Sequence, residues 1–147
     1  MADHATQTAE IAAPIDKVLD TLLAFDAYPT WVHDLKGVTV DSVDDQGRGH
    51  EVTFRAAAMG RSTGYTLRYT YEDDPVRVIW ELVRGDITRS IDGSYTLEPV
   101  PGHPDRTRAT YDLMVDLVVP LPGFVKRRAE AKIIHAALRE LRAHLEP

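Results

Sequence analysis

Residues 65–82 read YTLRYTYEDDPVRVIWEL, and their pattern decides the fold. Apolar and polar side chains alternate up to Tyr71, and they alternate again from Val76 onward. A period of two residues is typical of a β-strand with one buried and one exposed face. The intervening Asp73-Asp74-Pro75 has the composition of a turn. This stretch therefore predicts a hairpin of two antiparallel strands.

The same alternation continues on both sides of this hairpin. Further strands are predicted by Val38 and Val40, and at Val52–Ala56, Ile91–Leu97 and Tyr111–Leu117. Turns are predicted at Asp44–Gly49, Gly60–Gly64 and Gly85-Asp86, with a proline-rich loop over Pro99–Pro104. Short turns between alternating segments indicate an antiparallel meander with one apolar and one polar face.

Helical periodicity flanks the meander. A short β-prone segment at Thr6–Ala12 precedes Pro14, which suits a first helical turn. One helical stripe then follows, formed by Ile15, Val18, Leu19, Leu22 and Leu23. A break is predicted at Asp26–Pro29 and a second short helix at Thr30-Trp31-Val32. A long helix is predicted from Phe124 to Leu145, with its main stripe formed by Ala131, Ile134, Leu138, Leu141 and Leu145.

Length and composition limit the classes of protein. The 147 residues suffice for one domain, and 44% hydrophobic with 27% charged residues is ordinary globular composition. The sequence has no cysteine, which excludes disulfides, thiolate nucleophiles and cysteine-ligated metals. No apolar run is long enough for a transmembrane segment, and the start of the sequence lacks the features of a signal peptide. We therefore expect a cytoplasmic protein.

The charge is unevenly distributed. Residues 1–120 carry 11 basic and 20 acidic side chains, a net of −9, whereas residues 121–147 carry 6 basic and 3 acidic ones, a net of +3. The acidic body argues against nucleic acid as a partner, because nucleic-acid binding needs a basic surface. The basic C-terminal segment is either a solvated helix face or a surface for transient contact with anionic lipid or an acidic ligand.

Several segments together resemble a known family. Phe25-Asp26-Ala27-Tyr28-Pro29-Thr30-Trp31 matches the element F-x-x-Y-P-x-W, and Ile11-Ala12-Ala13-Pro14 resembles the family's entry from strand to helix. Val78–Leu82, Gly93–Leu97, Thr107–Tyr111 and Pro120-Leu121-Pro122 fit its later elements. On these segments the chain resembles the START-like superfamily (SRPBCC), in its polyketide cyclase/dehydrase and coenzyme-Q-binding-like branch. The resemblance covers about residues 5–145, so residues 1–147 are interpreted as a single START-like domain.

The resemblance implies an α+β helix-grip fold. A curved seven-stranded antiparallel sheet would wrap around the long C-terminal helix, with short helices after the first strand and an apolar cavity between sheet and helix. Family members bind lipids, sterols, polyprenyl quinones, plant hormones or polyketides, and a few catalyse cyclisation, aromatisation or dehydration. Many functions share this fold, so the resemblance indicates the architecture more strongly than the activity.

The candidate ligand-binding residues are the strand residues that alternation places on the inner face of the sheet, together with residues of the long helix. Apolar walls bind an apolar ligand, and tyrosines add hydroxyl groups that fix its orientation. Alternatively, the same side chains simply fill the core. The candidates are Trp31, Phe54, Tyr65, Leu67, Tyr69, Val78, Trp80, Tyr95, Tyr111, Leu113, Arg127, Ala131, Ile134, His135 and Leu138.

Three candidates have distinct alternatives. Trp31 either contacts the ligand near the cavity mouth or anchors the short helix on the sheet. Arg127, which lies on the apolar stripe, either binds an anionic ligand group or extends to solvent or to an acidic partner. His135 either acts as an acid or base, or is merely packed or exposed at the stripe edge.

Other motifs are missing from the sequence. It contains no metal-ligand spacing, no Walker loop and no nucleophile elbow, so no metal, no cofactor and no catalytic set is assigned.

The main hypothesis is a non-catalytic carrier or sensor that binds a small hydrophobic molecule, such as a lipid, a polyprenyl quinone or a polyketide-like compound. The alternatives are an aromatase, cyclase or dehydratase working in the same cavity, and a protein-interaction role of the basic helix. The oligomeric state is left open.

Overall fold

The computed structural model describes residues 3–58 and 60–146, and these form a seven-stranded antiparallel sheet with two α-helices and a 3-10 helix. The strands are Asp3–Ile11 (β1), Leu35–Val43 (β2), Gly49–Ala58 (β3), Arg61–Asp73 (β4), Val76–Gly85 (β5), Thr88–Val100 (β6) and His103–Leu117 (β7). The helices are Ile15–Leu23 (α1), Phe25–Thr30 (the 3-10 helix) and Gly123–Leu145 (α2). The order across the sheet is β1-β7-β6-β5-β4-β3-β2, which confirms the predicted meander and helix-grip fold.

Two connections are tighter than predicted. β7 begins at His103, so the predicted Pro99–Pro104 loop shrinks to a turn at Pro101-Gly102. Proline fixes the first central position of such a turn, and Gly102, with φ +79°, takes the left-handed conformation at the second. Similarly, β4 begins at Arg61 directly after Gly60, rather than after Gly64. Both strands are longer as a result, and the sheet has more length in which to curve.

The second short helix does not lie at Thr30-Trp31-Val32 as predicted. It is the 3-10 helix Phe25–Thr30, so the segment predicted as a break is itself a helical turn. Phe25 is buried and packs edge-on against Tyr69, with 4.7 Å between ring centroids. The Tyr28 hydroxyl donates a hydrogen bond to the Leu22 carbonyl (2.5 Å), one of the carbonyls that α1 leaves unsatisfied. These contacts stabilise a helical turn in a segment whose local sequence favours a break.

Register places the aromatic residues of five strands, β3 to β7, in one continuous area on the inner face of the sheet. Phe54 pairs with Tyr65, Tyr69 with Trp80, and Tyr95 with Tyr111. Register shifts in β2, in β4 against β5 and in β6 bend the strands locally. The sheet therefore curves around its aromatic face.

α2 packs on one side of this curved sheet, mainly across β1 and β7. Its buried residues are Glu130, Ile134, Leu138, Glu140, Leu141 and Leu145. α1 packs near β6 and β7. Because the helix rests on the β1–β7 side, a space remains between its flank and the inner face of strands β3 to β7. The 3-10 helix and the residues that follow it close this space from the outside.

Candidate functional site

A cavity of about 180 Å³ lies between the inner face of the sheet, the flank of α2 and the segment after the 3-10 helix. Apolar surface dominates its lining. Larger hollows of about 340, 390 and 400 Å³ lie elsewhere, but all three are more open to solvent. Polar groups dominate the first of them, and its arginines, Arg68 and Arg77, are ion-paired. The cavity of about 180 Å³ is the more enclosed one and is therefore the better candidate for a ligand site.

The floor of the cavity is a set of aromatic rings in mutual contact. Trp80 lies at its centre, with ring centroids 5.9 Å from Tyr69, 5.5 Å from Tyr95 and 5.8 Å from Tyr111. Tyr95 and Tyr111 are 4.9 Å apart and tilted by 52°. Tilted aromatic pairs at such distances attract each other and restrict ring motion. This wall is formed before any ligand arrives.

Trp80 keeps its place because the residue opposite it has no side chain. Trp80 pairs with Gly93 across β5 and β6. A Cβ atom on Gly93 would stand 2.4 Å from the Trp80 Cε2 atom, which is much closer than real atoms approach. Glycine inside a strand often marks such a close approach. The indole therefore lies directly over the Gly93 backbone.

Several polar groups of the wall have no hydrogen-bond partner among residues 3–58 and 60–146. The hydroxyls of Tyr65, Tyr69, Tyr95 and Tyr111 make no hydrogen bond with residues that the structure describes, in contrast to the hydroxyl of Tyr28. The indole N–H of Trp31 is buried and is likewise unpaired. Buried polar groups usually have partners, so unpaired ones in a cavity wall suit a ligand that bears hydrogen-bonding atoms.

Three contacts between α2 and the segment after the 3-10 helix form the cavity rim. The Glu140 carboxylate accepts a hydrogen bond from the His33 backbone N–H (3.1 Å), and its Oε2 lies 3.0 Å from the His33 Nδ1. The Trp31 ring stacks on the His144 ring, with 5.7 Å between the ring centroids. The third contact is the ion pair of Lys132 with Asp34 at 3.9 Å. Polar, partly exposed contacts of this kind are the ones that open most readily.

The comparisons with known proteins identify the family. The model of the family described as polyketide cyclase/dehydrase and lipid transport matches residues 2–146. The chain belongs to this family. No curated protein matches the sequence.

Three solved structures show how widely this fold is shared. A START superfamily protein from Mycobacterium smegmatis is 22% identical, with 97% of each chain covered and a TM-score of 0.84. The Zhui aromatase/cyclase from Streptomyces sp. R1128 is 15% identical, with 99% of this chain and 90% of that chain covered and a TM-score of 0.73. A STAR-related lipid transfer protein from Xanthomonas axonopodis is 19% identical, with 98% and 86% covered and a TM-score of 0.74. At these identities the likeness shows the START-like fold alone.

The START-like cavity brings together most of the residues predicted to form it. Its wall contains nine of them: Trp31, Phe54, Tyr65, Leu67, Tyr69, Val78, Trp80, Tyr95 and Tyr111. All but Trp31 lie on strands, where the period of two identifies the inward face reliably. Their role in binding a ligand stays a prediction.

The other six candidates lie outside the cavity wall. Leu113, Ile134 and Leu138 are buried in the core, and Ala131 is half-buried on α2. Arg127 is exposed, and His135 is exposed with its ring bonded to the Gln7 side chain. The apolar stripe of α2 contacts the sheet directly, so the neighbouring flank of the helix faces the open space.

The cavity residues of α2 that the sequence analysis did not predict are spaced four residues apart. Lys132, Ala136 and Glu140 lie four residues apart and line the cavity, and His144 continues the series to the rim. Such spacing places side chains on one helix face. Ile133 and Ala137 lie beside this row, and Tyr28, Val32, Asp34 and Leu35 complete the wall from the opposite side. The charged members resembled a solvated face, so the series was not recognised.

Neither a metal site nor a membrane-spanning helix is present in the described part of the chain. Among residues 3–58 and 60–146, no three histidine, aspartate or glutamate side chains are placed to hold a metal ion. Within the same described residues, no helix is long and apolar enough to cross a membrane.

We expect the cavity tyrosines to resist ionisation. Burial raises the pKa of Tyr65 to about 12 and raises the pKa values of Tyr69, Tyr95 and Tyr111 as well. In the unfolded chain these phenols ionise near pH 10. The folded state therefore binds more protons above that pH, and the free energy of unfolding should fall as the pH rises from about 10 toward 12. Tyrosinate absorbance, measured with and without urea, tests this, and identical titration curves would contradict it.

Proposed function

We propose that this protein binds a small, hydrophobic, oxygen-bearing ring compound in its cavity and releases it unchanged, as a carrier or sensor. The observation that carries the proposal is the combination of a rigid aromatic wall with unpaired hydroxyls and an unpaired indole N–H. Aromatic faces favour a flat ligand, and the hydroxyl and N–H groups favour carbonyl or hydroxyl oxygens on it.

Cavity size limits the ligand. An apolar cavity of about 150 Å³ accommodates benzene, whereas pockets for drug-sized ligands are about 300–1,000 Å³. The volume of about 180 Å³ therefore suits one or two rings. A long-chain lipid or polyprenyl quinone would require the rim contacts of Glu140 and Lys132 to open. This favours a compact ligand over a lipid cargo.

One observation supports catalysis as a second candidate. The Glu140 side chain is 92% buried and lines the cavity. Burial is the main cause that raises the pKa of Tyr95, and the charge of Glu140 adds to it. A carboxylate can remove a proton from the carbon next to a ketone, while a phenol donates a hydrogen bond to the enolate oxygen. A cyclase or dehydratase would need this chemistry. However, His33 already engages the carboxylate, which favours a structural role.

The proposal predicts that filling the cavity abolishes binding. The probe is 2-naphthol, a two-ring compound with one hydroxyl, titrated by its own fluorescence. Ala136→Phe places a ring in the cavity and should weaken binding at least about tenfold, since it removes the space in which the ligand buries its apolar surface. Val43→Phe adds the same ring at an exposed position outside the wall and the rim, and it should bind like the wild type.

Two further readouts separate the outcomes. A folded Ala136→Phe variant that binds 2-naphthol with unchanged affinity contradicts the proposal. Native mass spectrometry of the purified protein, compared with a denatured sample, reports any molecule that it already contains. Deuterium exchange at the carbon next to the ketone of 1-tetralone tests catalysis: a carrier leaves the rate unchanged, whereas an enzyme accelerates it and Glu140→Gln removes the acceleration.

A further inference from the structure

The connection between β7 and α2 exposes three large apolar side chains within seven residues. Val118, Leu121 and Phe124 are 48%, 41% and 61% exposed. Single exposed apolar residues are common, but a cluster on one loop marks an interaction site. We call Val118–Phe124 the apolar tip. It lies at the end of β7, away from the cavity wall.

Cations follow the apolar tip directly. Arg127 and Arg128 are exposed on the first turns of α2, and residues 117–129 contain no acidic side chain. The acids on either side, Asp116 and Glu130, are buried, and Glu130 accepts a hydrogen bond from the Leu117 backbone N–H (2.8 Å). The outer surface of this segment is therefore apolar and positively charged.

A second chain segment adds to this surface. The Val118 backbone N–H donates a hydrogen bond to the Ile87 carbonyl (2.6 Å), which holds the β5–β6 turn beside the apolar tip. Arg89, at the start of β6, is 65% exposed, and its guanidinium lies 3.5 Å from the buried Asp116 carboxylate. The cations therefore come from two sides of the apolar cluster rather than from one helix face.

The placement of these cations opposes ordinary helix electrostatics. The positive end of a helix dipole favours acidic residues, yet the first turn of α2 has none and Pro122 provides no side-chain cap. Such a departure from local preference often marks a functional surface. An anionic surface opposite this end would relieve the repulsion.

We propose that the apolar tip docks on an anionic lipid bilayer. Phe124 and Leu121 would enter the interfacial region, while the arginines contact lipid phosphates, a combination typical of interfacial anchors. Nucleic acid provides phosphates but no apolar phase for exposed Phe and Leu side chains. A second copy of the chain would bring two positive tips together. The acidic remainder, net −9 over residues 1–120, would turn away from the membrane.

Vesicle flotation of the full chain tests this surface. We expect the wild type to float with vesicles of equal parts phosphatidylglycerol and phosphatidylcholine, and not with phosphatidylcholine alone. The double variant Leu121→Ser with Phe124→Ser should lose at least about tenfold in partitioning, since both anchors are removed. Arg127→Gln with Arg128→Gln should lose about fivefold or more per arginine, and less at high salt. Val43→Ser removes a 58% exposed apolar residue at the opposite end and should change nothing.

The contrary results are equally specific. Wild-type protein that does not bind the anionic vesicles overturns the proposal, as do tip variants that bind them normally. Gel filtration that shows a dimer lost in the Leu121→Ser, Phe124→Ser variant would assign the apolar tip to self-association instead. The 2-naphthol titration on the same variants keeps the two proposals separate, because the tip lies outside the cavity and binding there should be unchanged.

Discussion

The Gly93→Ala variant is expected to lose about 1–3 kcal/mol of stability, the usual cost of overpacking a core, and to bind the cavity ligand more weakly. Its Cβ would stand 2.4 Å from Cε2 and 2.5 Å from both Cζ2 and Nε1 of Trp80. β6 is hydrogen-bonded to β5 on one side and β7 on the other, so its backbone cannot retreat. The indole must therefore move toward the cavity and reduce its volume.

A matched glycine makes the test specific. Gly37, in β2, has no heavy atom within 4 Å of the position that a Cβ would take. Gly37→Ala should therefore be nearly neutral, or slightly stabilising because it restricts the unfolded chain. Urea unfolding measures stability, and 2-naphthol titration measures binding, for both variants. Equal stabilities for the two would mean that Trp80 can relax without cost, which contradicts the close contact.

The strands explain why so much of the site could be predicted from the sequence. Alternation determines which side chains share a face, so Phe54, Tyr69 and Tyr95 were placed on the inner wall without knowledge of the register. Local pattern is sufficient there because a strand offers only two directions. Gly93 gave a further signal, since a glycine within an alternating strand indicates a close approach, although the sequence does not say which residue approaches.

The helix and the rim depend on information that is not local. The pattern shows that α2 has an apolar stripe, but not that the stripe rests on β1 and β7 and leaves its flank over the cavity. Glu140 illustrates the consequence. Its charge predicts a solvated position, yet the side chain is 8% exposed because His33 reaches it from a distant part of the chain. The curvature of the sheet determines which flank of α2 lies over the cavity. This curvature comes from register shifts that the periodicity of the sequence does not show.

Trp80→Ala should have the largest effect of all, about 3–5 kcal/mol of lost stability, because it removes a buried aromatic side chain and leaves a cavity behind. Trp80 is 7% exposed and contacts three tyrosine rings. Its loss therefore also removes packing contacts that restrict the rings of Tyr69, Tyr95 and Tyr111. Binding of 2-naphthol should weaken with it. If Trp80→Ala does not fold, Trp80→Phe retains part of the packing and should give a smaller change in the same direction.

A double-mutant cycle tests both predictions together, because both depend on the close contact between the Trp80 indole and the Gly93 backbone. If the alanine Cβ destabilises the protein only because it strikes the indole, that cost vanishes once the indole is gone. Gly93→Ala should then be nearly neutral in the Trp80→Ala background, so that the double variant is more stable than the sum of the single effects predicts, by about 1–3 kcal/mol. Additive effects would show instead that Gly93 is needed for the backbone of β6, and that the position of Trp80 is determined by the tyrosines around it.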